Sequence, residues 1–105
     1  MKIIEKLSDK IADEIASAEC YAKCALEYKE ERPQLAETFY RIANEKMNHM
    51  GLLHTQVATI IDEYRKSKGE PPQGMQTLYE ILHRKHIEQA AAVKGMLALY
   101  KENIK

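Results

Sequence analysis

Five side chains in this sequence carry the donors of a metal site: Glu14, Glu45, His49, His54 and His86. Carboxylate oxygens and imidazole nitrogens suit iron, manganese or zinc, need no thiolate, and match calcium or copper(I) poorly. Glu45 and His49 are four residues apart, which on a helix puts them on one edge and lets both reach one ion. Glu14 is the sharpest anomaly, because it falls in an apolar stripe near Leu7 and Tyr21. A carboxylate there is costly unless it is paired, hydrogen-bonded or bound to a cation. Lys46 offers a rival to the metal, since an ion pair with Glu14 neutralises the carboxylate alone. His54 and His86 have a plain alternative too, as half-buried histidines bonded to a backbone group or a tyrosine.

Three helices must position these groups, and an all-α fold is expected. Ile4, Leu7, Ile11, Ile15, Ala18, Ala22 and Ala25 recur at three- and four-residue steps, uninterrupted by Gly or Pro, and predict a first helix over about 3–30. Arg32-Pro33 marks a turn, because Pro suits the first turn of a new helix and disfavours helical geometry in the residue before it. The second helix is expected over about 33–67, with Gly69 as its C-cap before Glu70-Pro71-Pro72-Gln73-Gly74. Leu35, Phe39, Ile42, Met50, Leu53, Val57, Ile60, Ile61 and Tyr64 cover more than half its circumference, so it is expected to be the central helix. Lys46 and His54 project inside that sector and His49 lies on its edge, while Gly51 suggests a kink or a close contact.

A third helix over about 75–103 presents Leu78, Leu82, Val93, Met96, Leu97, Tyr100 and Ile104, with His86 and Gln89 inside the same face. Thr77-Leu78-Tyr79-Glu80 reads as a capping box, which accounts for Glu80 and sets aside the Glu-x-x-His spacing of Glu80 and His83. The short first turn makes helices one and two an antiparallel hairpin. Glu14, about eighteen residues before that turn, and His49, about sixteen after it, then stand within roughly one helical turn of each other. Counting from the Pro-Pro turn brings His86 near His54. One layer of Glu14, His49, His54 and His86 is expected, with Glu45 a turn away.

Composition narrows the rest. The 105 residues suit one domain over 1–105, and sixteen basic against sixteen acidic residues leave no basic stripe, so no nucleic-acid partner is expected. No apolar run approaches the ~18 residues of a membrane span, and the charged start MKIIEKLSDKIADE predicts no signal peptide, hence no membrane and a cytoplasmic location. Cys20 and Cys24, the only cysteines, read as small thiols on a packing surface. There is no Gly-rich phosphate loop and no nucleophile elbow. Whether the chain is an enzyme stays open.

Two stretches together resemble a known family. Glu14-Ile-Ala-Ser-Ala-Glu-Cys-Tyr21, followed about 28 residues on by Ile42-Ala-Asn-Glu-Lys-Met-Asn-His49, is similar to the first hairpin of the ferritin-like superfamily, in particular rubrerythrins and short encapsulated ferritins. The resemblance spans about Ile11 to Val57. It implies a di-iron carboxylate site with ferroxidase-type or peroxide-related activity, in which Glu14 is the first ligand, Tyr21 the aromatic behind it and His49 the histidine. Lys46 stands where the family carries its bridging glutamate, and Glu45 is displaced by one residue. The resemblance also implies a ferritin-like bundle completed by oligomerisation, since one helix stands where the second hairpin would have two. Two functions follow. One is a metal-binding protein using Glu14, Glu45 and His49, with His54 or His86 as further ligands. The other is a non-catalytic helical interaction or assembly protein, a homodimer or part of a larger assembly, with a Glu14–Lys46 ion pair and no metal.

Overall fold

Ile4, Ser8, Ile11, Ile15, Ala18, Ala22 and Ala25 are all buried, a continuous seam at three- and four-residue intervals along one helix. In the computed structural model, which describes residues 2–102, this helix is α1 (Lys2–Tyr28), followed by α2 (Pro33–Lys68) and α3 (Gln73–Glu102). No strand occurs among the described residues. At about 1.5 Å per residue, the 36 residues of α2 give about 54 Å, which accounts for the 55 Å long axis of the molecule.

Pro33 starts α2 as its sequence position demands, and the Ala36 N–H donates to the Arg32 carbonyl at 2.9 Å. Gly69 ends it: its φ of 79° lies in the left-handed region, and its N–H donates to the Arg65 carbonyl at 3.1 Å. The helix is unbroken through Gly51, where an added Cβ would meet nothing within 4 Å, so that glycine serves no close contact. The first helix stops two residues short of its expected end. The third starts earlier than its sequence suggests, because the Pro72 carbonyl accepts both the Met75 and the Gln76 N–H, and the Gln76 side chain donates to the Pro71 carbonyl at 2.7 Å. Thr77 consequently lies inside the helix and the capping box is not formed. The expected end at Asn103 and the apolar Ile104 lie outside the described residues.

The central helix is α1, not α2. Seven α1 residues are buried, whereas α2 buries only Ala36, Ala43 and Val57 completely and leaves its large apolar residues partly open. The cause is size: Ala18, Ala22 and Ala25 opposite Ala36 and Ala43 let the two helices approach closely as an antiparallel hairpin. On the other side of α1 lies α3, through His86, Ala90, Val93, Leu97 and Tyr100; α2 and α3 touch each other only sparsely. Leu78, expected on the α3 core face, is exposed instead.

Close packing and an open outer surface predict opposite effects at two small residues. Ala22→Leu is expected to cost about 1–3 kcal/mol in urea denaturation by overfilling the seam. Gly95→Ala is expected to add about 0.5–1 kcal/mol, because its Cβ would enter open space on a helix. A stable Ala22→Leu variant would mean that α1 and α2 are not held at alanine distance.

Candidate functional site

Glu14 sits midway along α1, at the edge of the seam, with 24% of its side chain exposed. Its Oε2 lies 3.5 Å from Lys46 Nζ and 3.4 Å from His49 Nδ1, both on α2. That oxygen is closed off from solvent and accepts no hydrogen bond. Opposite charge therefore compensates the carboxylate through space, with Lys46 the nearest permanent cation. The expected neighbourhood of Glu14 and His49 is realised, and so is the rival partner Lys46. Glu45 is exposed and joins neither contact. It is the residue next to Lys46, and that single step, about 100° of helix rotation, carries it away from α1.

His54 belongs to a different place. It is five residues from His49, about 140° around the helix, and faces α3 rather than Glu14. Its Nε2 lies 3.0 Å from His83 Nδ1, one ring nitrogen donating and the other accepting according to tautomer. The two rings stack with centroids 4.8 Å apart, and the Tyr79 ring stacks on His83 at 5.7 Å. His86, one turn further along α3, is 7% exposed and sits against α1 beside Ser8 and Ala12, at a cleft between α1 and α3 that Asp9, Asp13 and Glu19 also line. The expected single layer is thus two places: Glu14, Lys46 and His49 at one, His54 and His83 at the other, with His86 behind the second.

Sequence reasoning missed His83 because it explained Glu80 by a cap and counted helix register from Pro71-Pro72. Counted from Gly69, where the chain leaves α2, His54 lies fifteen residues before and His83 fourteen after. The bond from Tyr100 to Glu37 at the far end has the same midpoint. The turn glycine, not the proline pair, sets the register.

Burial first, and the neighbouring His83 second, hold the His54 imidazole below its ordinary value of 6.5. Burial likewise lowers His86, with smaller contributions from His83, His54 and Lys85. At the opposite end, burial and the hydrogen bond to Glu37 raise the Tyr100 hydroxyl above 10.0.

The donors around Glu14 do not form a di-iron centre within one chain: one carboxylate, one imidazole and an ammonium group converge there. Among the described residues, no group of three or more His, Cys, Asp or Glu side chains is placed to hold a metal ion. No helix among them is long and apolar enough to cross a membrane. No protein family, curated protein or solved structure matches this chain.

Lowered histidine values carry a sign. His54 and His86 bind protons less readily when folded than the unfolded value of 6.5, so the stability they confer is complete above about pH 6.5 and is lost as pH falls through their folded values. Urea midpoints are expected to fall between about pH 7.5 and about pH 5, and to fall less steeply in His86→Asn. An identical slope in that variant would place the acid sensitivity elsewhere.

Proposed function

We propose that this protein is a non-catalytic helical assembly module that works by association with a second copy or a larger complex. The observation that carries this reading is Lys46 Nζ, which stands 3.5 Å from the solvent-closed oxygen of Glu14, where a metal protein would place its ion. Surface composition supports it. Leu52 is 61% exposed, Ile81 58% and Ile87 55%, and Leu35 and Leu78 are also open. Large apolar residues left uncovered around two helices are what association covers.

One observation favours the rival reading of a metal site. Glu14 Oε2 accepts no hydrogen bond while His49 Nδ1 lies 3.4 Å away, so a carboxylate oxygen and an imidazole face one another with bonding capacity unused. In that reading, iron, manganese or zinc binds Glu14 and His49, and a second copy supplies further donors, with Glu45 reachable from the surface. The ferritin-like resemblance of the hairpin points the same way.

Native mass and metal content, measured on protein purified without chelator or affinity tag, separate the two. The assembly reading expects a dimer or larger species with no metal that depends on Glu14. Near-stoichiometric metal that disappears in Glu14→Gln would overturn it. Stability gives a second check: Lys46→Met is expected to cost about 1–3 kcal/mol, less than a fully buried pair because both groups are partly exposed. Adding Glu14→Gln to that variant should recover most of the loss, and full additivity of the two changes would show that the residues do not interact.

A further inference from the structure

The sparse contact between α2 and α3 includes one pair of groups that can ligate a metal. His54 and His83 approach from different helices with Nε2 and Nδ1 3.0 Å apart. Two nitrogens on one tetrahedral zinc ion, each at about 2.0–2.1 Å, stand about 3.3 Å from each other. The observed spacing is thus within a few tenths of an ångström of what a shared ion needs. Both rings are half-buried and their planes lie 26° from parallel; sharing one ion requires a turn of at least one ring about its soft terminal torsion. Tyr79 also stacks on the His83 ring, at 13° between planes.

We propose that His54 and His83 form a two-histidine site for a borderline first-row divalent ion, of which zinc is the type, bridging α2 and α3. The ligands are His54 Nε2 and His83 Nδ1, and water fills the remaining positions. Binding exchanges the hydrogen bond for two coordinate bonds: the proton shared between the rings is carried instead on a distal ring nitrogen, so both facing nitrogens present lone pairs. Two imidazoles with no carboxylate discriminate against magnesium and calcium, which prefer oxygen. The ion ties α3 to the hairpin where the two helices otherwise have little contact. This site is independent of Glu14 and His49, which face another part of the surface, and it stands whichever reading of those residues holds.

The test is calorimetric titration of the full metal-free chain with zinc chloride, with magnesium chloride as control. One zinc per chain is expected and no magnesium binding. His83→Gln and His54→Gln are each expected to weaken zinc about tenfold or more, while Glu14→Gln and His49→Gln leave it unchanged. Undiminished affinity in His83→Gln would overturn the proposal; loss confined to Glu14→Gln and His49→Gln would overturn it and move the ion to the acidic site. Nuclear magnetic resonance of the histidine rings in the parent protein gives a reading independent of any variant's folding. Zinc should shift the His54 and His83 ring signals first, and unmoved signals at saturating zinc would show that the pair is a hydrogen bond only.

Discussion

The structure depends on alanine. Ala18, Ala22 and Ala25 on α1 face α2 with no exposed surface beyond 1%, and Ala36 and Ala43 on α2 are wholly covered. Side chains this short bring the two helix axes together, so longer ones must lie to either side of the seam. Tyr21, Tyr28 and Phe39 do so as a run of aromatic rings with centroids 6.0 and 6.2 Å apart. Glu14 lies further down the same seam, where the neighbours change from Ala to Ile11 and Ile15. Its aliphatic stem covers apolar surface, and its charge meets Lys46 and His49.

Because α1 takes the middle, α3 is attached mainly to α1 and reaches α2 at separate points. Tyr100 makes one of them. Its ring stacks on Tyr40 with centroids 4.7 Å apart, its hydroxyl donates to Glu37 Oε2 at 3.2 Å, and its carbonyl accepts from Lys29 Nζ, so one residue ties α3 to α2 and to the turn that follows α1. His83 and His54 make another, toward the opposite end. Between those points α3 carries Ala91, Ala92, Gly95 and Ala98, small residues exposed to solvent.

Helix number, helix type and the first turn were legible because they rest on local chemistry: an unbroken three-four apolar repeat, Pro33 after Arg32, and Gly69 in a left-handed conformation that favours glycine. Glu14 was legible for the same reason, since a carboxylate within an apolar stripe demands a partner wherever the stripe lies. The identity of the central helix was not. The broad apolar sector of α2 suggested cover on two sides, but burial follows closeness as well as hydrophobicity, and the alanines that permit closeness carry little weight on a hydrophobicity scale. His83 was hidden by a register error of nearly two helical turns, since Pro71 and Pro72 mark where α3 can begin but not where α2 stops. That miscounting was enough to give His54 the wrong partner.

The same angular arithmetic decides the character of the Glu14 place. At about 100° per residue, exchanging the roles of positions 45 and 46 separates a side chain that faces α1 from one that faces solvent. Position 46 is the one that faces α1, and it holds an ammonium group. A carboxylate at that position would set two negative charges side by side against a partly closed surface, an arrangement that only a bound cation or a shared proton relieves. With lysine there, the compensating charge is covalently attached and always present. His49, on the exposed flank of α2, faces the same carboxylate oxygen at 3.4 Å. The hairpin thus holds a neutralised carboxylate as part of its packing, while the histidines that face one another with no fixed charge between them lie on α2 and α3.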